Sequence, residues 1–190
     1  PFVKVFEEER ELTVMLLVDV SGSTFFGTQQ NAAGEDRIKQ DVIAEICAVL
    51  AFSAINNNDK VGMILFSDQS ETFIPPKKGR NHILRLIRDL VDTEPQGKGT
   101  DLGKVLRHLT NVLKKRSIVF VLSDFMNTGE DYQDALSIAR RRHDVVGVHL
   151  YDDREVELPN MGLVRVLDAE SGQSSWIDTA NKQTRLAYGK

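Results

Sequence analysis

Cysteine is almost missing from this sequence: Cys47 stands alone in 190 residues. It can form no internal disulfide, and its apolar helical setting, Ile46-Cys47-Ala48-Val49-Leu50-Ala51-Phe52, reads as a buried structural thiol. Asn-x-Ser/Thr sequons are absent as well, and the two absences together fit a reducing, cytoplasmic compartment. No apolar run approaches the roughly 18 residues needed to cross a bilayer, so no membrane contact is expected within this stretch. Positive charge is in short supply: 24 Lys and Arg against 28 Asp and Glu give a net charge of −4, whereas a nucleic-acid binder would carry a basic surplus. Small basic clusters (Lys77, Lys78, Arg80; Lys114, Lys115, Arg116; Arg140, Arg141, Arg142) fall near expected helix ends or in loops, where solvation and the helix dipole account for them. The opening Pro-Phe-Val-Lys is no signal peptide, and the chain does not start with Met. The expectation is therefore a single domain, 1–190, cut from a longer protein that could itself be membrane-anchored. Internal repeats, low-complexity tracts and linkers are absent too.

What is present is organised around Val14 to Ser23, Val-Met-Leu-Leu-Val-Asp-Val-Ser-Gly-Ser. Five apolar residues, Val14 to Val18, predict a strand buried on both faces, as in a parallel sheet. The run then breaks into Asp19, Ser21, Gly22 and Ser23, at the strand end where open α/β sheets place their ligands. A carboxylate and two hydroxyls on alternate residues offer three hard oxygens, suited to Mg²⁺, Mn²⁺ or Ca²⁺ rather than zinc. A plain loop with capping hydroxyls is the competing reading, because Ser, Asp and Gly dominate turns.

The remaining elements follow in order. A first strand is expected over about 12–19, a loop over 24–36 carrying Phe25-Phe26, and a helix from about Arg37 to Ile55. The apolar positions Ile38, Val42, Ile46, Val49 and Leu50 give that helix its spacing. Lys60 to Phe66 predicts a second buried strand and Glu71 to Ile74 a short antiparallel partner, stopped by Pro75-Pro76. Helices are expected over about Asn81–Asp92 and Leu102–Lys114, separated by the Gly-rich loop Gln96 to Asp101. Ser117 to Ser123 encloses another buried strand, Tyr132 to Arg142 a helix, and Asp144 to Tyr151 a strand. A core over about 12–151 is thus followed, within 158–190, by a hairpin (Leu163–Leu167, Ser175–Ile177) and a helix beginning near Thr179. Alternating strands and helices argue for an α/β fold with helices on both faces of the sheet.

Three loops then present oxygens at strand ends: Asp19, Ser21 and Ser23; Thr100 beside Asp101; and Asp124. If the two long apolar strands are neighbours, Asp19 and Asp124 meet at one edge and the Gly-rich loop brings Thr100 over them. Crowded carboxylates repel, which is itself a reason to expect a cation. These residues, in this order, resemble the metal-ion-dependent adhesion site (MIDAS) of von Willebrand factor A domains over about 12–151. Asp-Val-Ser-Gly-Ser followed by Phe-Gly, Asn-Asp-Lys-Val-Gly, and Phe-Ile-Pro-Pro-Lys-Lys-Gly resemble more closely the bacterial family called domain of unknown function 58.

The resemblance implies a six-stranded, mostly parallel, Rossmann-like sheet with one antiparallel edge strand. It implies that Ser21, Ser23 and Thr100 touch the metal directly and that Asp19 and Asp124 act mostly through water. A protein partner's carboxylate would complete the shell, and a MoxR-type AAA+ ATPase is the implied partner. The loop 24–36 departs from the usual pattern, in which the first helix follows the second Ser almost at once; it is expected to reshape the rim or cover it.

The enzymatic alternative, a Mg²⁺-dependent phosphohydrolase using Asp19, asks for an acid or base close by. Ser21 stands where a second Asp would be needed. His82, His108, His143 and His149 lie outside the candidate loops and read as solvated or satisfied core histidines, and no Lys or His is expected within the cluster. Gly97-Lys98-Gly99-Thr100 lacks the hydroxyl after Lys98 and the upstream Gly of a phosphate loop. No catalytic residue is assigned, and a binding module is the expectation.

Overall fold

The computed structural model describes residues 11–25, 29–30, 36–68, 70–93, 99–126, 132–152, 158–167 and 174–188. The apolar run forms β1 (Thr13–Asp19), buried from Val14 onward. A 3-10 turn (Gly22–Phe25) follows, then a two-residue ladder of β2 (Gln29–Gln30) with β3 (Asp36–Arg37). Next come α1 (Lys39–Asn56), β4 (Lys60–Phe66), β5 (Ser70–Lys77), α2 (Arg80–Asp92), α3 (Leu102–Val112), β6 (Ile118–Ser123), α4 (Tyr132–Arg142) and β7 (Asp144–His149). The hairpin of β8 (Leu163–Leu167) and β9 (Ser174–Asp178) precedes α5 (Lys182–Tyr188).

The central sheet has the order β5-β4-β1-β6-β7. β4, β1, β6 and β7 run parallel and β5 is antiparallel at one edge, so the fold is α/β with the sheet sense the resemblance implied. Five strands, not six, form this sheet among the described residues, because β8 and β9 pair only with each other. Strand alternation divides the core in two. Val14, Leu16 and Val18 point to the face covered by α1 and α2, where Ile43, Cys47, Leu86 and Leu90 meet them. Met15 and Leu17 point to the other face, against Leu106 and Leu109 of α3 and Ala135 and Ala139 of α4. Burying each of the Val, Leu, Ile and Met side chains among these contributes about 1.5–3 kcal/mol.

Several boundaries differ from expectation. β5 continues through Pro75-Pro76 to Lys77; it is an edge strand with a register shift between Val61 and Met63, and a bulge there tolerates residues that cannot donate to the ladder. α1 begins at Lys39 rather than Arg37, because Arg37 is held by Gln29 in the β2–β3 ladder. The buried face of α1 is Lys39, Ile43, Cys47, Ala51 and Ala54. Val49, expected inside, is 69% exposed: the apolar residues sit nearly all round the helix, and the stripe of Ile43, Cys47, Ala51 and Ala54 is the face fully buried, with Val42, Ile46 and Leu50 packed partly against the core. Cys47 is the buried thiol expected, with burial pushing its pKa up to about 12. The pair Phe25-Phe26 lies outside the described side chains.

Candidate metal centre

Strand register builds the site. Val18 of β1 is level with Leu122 of β6, so Asp19 lies beside Ser123, and Asp124 is the next residue. Both strands are interior, hydrogen-bonded to a neighbour on each side. Asp19 is level with Phe66 of β4, and the Val20 N–H continues that ladder by donating to the Phe66 carbonyl at 2.9 Å.

The turn after β1 is closed by its own polar groups. Asp19 Oδ1 accepts from the Ser21 N–H at 2.9 Å, and Thr24 Oγ1 donates to the Ser21 carbonyl at 2.8 Å. This wrapping sets Ser21 Oγ and Ser23 Oγ 3.1 Å apart. Thr100 arrives from the Gly-rich loop, which is pinned where the Asp101 N–H donates to the Ser67 carbonyl at 3.0 Å. The Asp101 carboxylate caps α3 by accepting from the Lys104 N–H at 2.8 Å. Thr100 Oγ1 thereby reaches Asp19 Oδ2 at 3.3 Å, and Ser123 Oγ donates to the same oxygen at 2.6 Å.

Asp124 completes the group. Its Oδ1 accepts from the Met126 N–H at 3.2 Å. Between them Phe125 has φ 52°, a left-handed backbone that few non-glycine residues adopt. Its N–H donates to Ser123 Oγ at 3.0 Å, and its ring covers Gly147, where an added Cβ would lie 3.4 Å from Phe125 Cζ.

The sequence-designated residues Asp19, Ser21, Ser23, Thr100 and Asp124 are therefore brought together in one network. The two acids sit in different electrostatic settings. Burial holds the Asp19 carboxyl above the ordinary range, and the nearby Asp124 adds to this against hydrogen bonds from Ser123 and Ser21. Burial also acts upward on Asp124, but the hydrogen bonds from Ser23 and Met126 and the charge of Lys39 outweigh it, leaving its pKa below the usual value.

The lysine overturns one expectation. Lys39 Nζ lies 3.0 Å from Asp124 Oδ2, with side-chain exposures of 6% and 3%, so a Lys does stand within the cluster. The helical interval running back from Ala51 through Cys47 and Ile43 puts position 39 on the same buried face, and that spacing was the available signal. Ser123, which the sequence placed at the strand end without a role, holds Asp19 in place through its hydroxyl. The histidines also depart from expectation in part. His143 is buried, and neither ring nitrogen has a hydrogen-bond partner among the described residues.

The donor set suits a small hard cation. It offers two carboxylates and three hydroxyls in mutual reach and no sulfur or imidazole, which is oxygen-ligand chemistry. Among the described residues, no group of three or more His, Cys, Asp or Glu is placed to hold a metal, so any such ion depends on the hydroxyls. No described helix is long and apolar enough to cross a membrane.

Comparison with known proteins follows the same line. The family described as "Protein of unknown function DUF58" matches residues 1–190. Uncharacterized proteins of Mycobacterium bovis and Mycobacterium tuberculosis are 30% identical over 174 residues, covering 90% of this chain and 53% of each relative. The chain thus spans about half the length of the curated relatives it matches. Among solved structures, BatB from Bacteroides thetaiotaomicron superposes with a TM-score of 0.65 at 17% identity, over 94% of this chain and 85% of that one. An aerotolerance-related membrane protein from Bacteroides fragilis gives 0.66 at 18%, over 94% and 88%. These two show the same fold. The VWA domain of SpRpn10 gives 0.48 at 12%, over 74% and 77%. With its whole length matched by one family and its relatives sharing that identity, the chain belongs to the DUF58 family.

Proposed function

We propose that this domain is a metal-dependent protein-interaction module of the MIDAS type. In this reading Ser21, Ser23 and Thr100 hold a Mg²⁺ or Mn²⁺ ion, with Asp19 and Asp124 supporting it, and a partner's carboxylate takes the remaining position. The observation that carries the reading is the convergence of oxygens from three separate loops on one sheet edge, with Asp19 held by Ser21, Ser123 and Thr100. When bound, the ion would supply positive charge and an open coordination place for an acidic side chain. The partner we infer is a MoxR-type AAA+ ATPase, acting with this domain in assembly or maturation of other proteins on the cytoplasmic side.

Binding is favoured over catalysis by the way Asp19 is used. Its Oδ1 accepts one hydrogen bond and its Oδ2 two, which spends on positioning the lone pairs a nucleophile would need free. The Lys39 ammonium is already engaged with Asp124.

The test is a thermal melt of metal-stripped protein with and without Mn²⁺ or Mg²⁺. At about 100 times the dissociation constant a native-state ligand adds about 2.7 kcal/mol, a rise on the order of 5–10 °C for a chain of this size. Asp124→Ala should remove the rise and should also abolish metal-dependent capture of the ATPase. An unchanged wild-type melting temperature with either ion defeats the proposal. Phosphoester turnover with Mg²⁺ that vanishes in Asp19→Asn would replace it with the enzymatic reading.

A further inference from the structure

The candidate centre contains a cation of its own. Lys39 opens α1, and its side chain reaches past the end of β6 to place Nζ 3.0 Å from Asp124 Oδ2. Lysines are almost never fully buried unless paired, yet this one is 5% exposed. Its place on the buried stripe with Ile43, Cys47 and Ala51 packs the aliphatic stem and aims the ammonium into the cluster. Asp124 Oδ1 is held at the same time by the Met126 N–H at 3.2 Å, so the carboxylate is oriented and the ammonium is docked on its other oxygen. The two acids and the lysine give the cluster one formal negative charge rather than two.

We propose that Lys39 is a built-in counter-cation that a divalent ion must displace from Asp124 when it enters. This rests on the metal-binding reading above and adds its regulation. The ammonium offsets the charge of Asp124 and weakens its repulsion of Asp19, and it opposes any dication approaching the same oxygen. Metal affinity is therefore set by competition between an internal and an external cation. Because Lys39 is the first residue of α1 and follows directly on the segment 24–38, its release makes metal entry felt at the start of that helix. The ammonium then stands at the rim, beside the position offered to an acidic partner.

Titration calorimetry with Mn²⁺ on chelator-stripped wild type and Lys39→Met tests this. Met keeps the stem and removes the charge. The variant should bind Mn²⁺ about 10- to 100-fold more tightly, the range that a hydrogen bond to a charged group represents. Wild type that binds with Lys39→Met equal or weaker overturns the counter-cation and leaves the metal site standing. Absence of binding in both overturns the metal reading, and this proposal with it.

A second measurement needs no variant and decides the matter if Lys39→Met fails to fold. Wild-type protein is acetylated with a water-soluble N-hydroxysuccinimide ester and Lys39 is followed by peptide mass spectrometry. Lys39 should be protected in chelator and modified at saturating Mn²⁺, with Lys114 and Lys115 modified equally in both. Protection of Lys39 that persists with metal bound overturns the proposal.

Discussion

Asp19 and Asp124 are neighbouring acids placed in opposite settings, one raised by burial and the other lowered by its hydrogen bonds and by Lys39. The five oxygen-bearing residues were legible because each follows a recognisable strand or glycine-rich loop. Helical spacing puts Lys39 on the buried face of α1, but nothing in the sequence says that this face reaches Asp124, which lies 85 residues on. A second buried cation-former lies at the far end of the sheet. His143 joins α4 to β7 with its ring enclosed; burial depresses its pKa, and Arg142 and Arg116 add to this against Asp144. A depressed folded pKa means that the stability it secures is complete above the ordinary value of 6.5 and is lost as pH falls through the folded value. Melting temperature should therefore begin to drop as pH falls below about 6.5, and His143→Phe should flatten that drop. An equal drop in the variant would assign it to other groups.

At the scale of elements, polar or proline punctuation fixed boundaries well where it coincided with sheet edges and badly where it did not. β5 runs through two prolines because its outer side needs no ladder partner. Opposite that stretch, Gly62 is packed so closely that an added Cβ would lie 2.6 Å from Met15 Sδ, 2.8 Å from the Pro76 nitrogen and 2.9 Å from the Ile74 carbonyl oxygen. Two of those atoms are backbone of β5 and can retreat only by moving the strand. Gly62→Ala should cost about 1–3 kcal/mol, seen as a lower urea midpoint with faster amide exchange in β5. A midpoint within error of wild type would show that the edge strand yields freely. α1 illustrates the opposite failure: with apolar residues nearly all round, periodicity alone could not say that Val49 faces out and Cys47 in.

For the whole molecule, the two-sided core was legible from unbroken apolar strands, since residues that alternate inward and outward must both be covered. Leu16→Ala and Leu106→Ala remove side chains from opposite faces of the sheet, and each should cost about 2–5 kcal/mol in chemical denaturation. A loss confined to one face would mean that the other half contributes little to the cooperative unit. Strand order was less legible, and so was the number of strands in the central sheet, because pairing between distant segments leaves no local mark; β8 and β9 instead form their own hairpin. The parallel arrangement also separates the two poles. The backbone enters β1 at Thr13 and leaves at Asp19, about 20 Å apart at strand rise. The entry is fastened by the Leu12 N–H to Asp59 Oδ1 at 2.9 Å and by Glu11 to Lys60 and Lys78 at 3.1 Å. A handle attached ahead of Glu11 therefore grips the domain by its heel, and a sensor surface prepared that way leaves the oxygen-bearing pole at the end away from the surface.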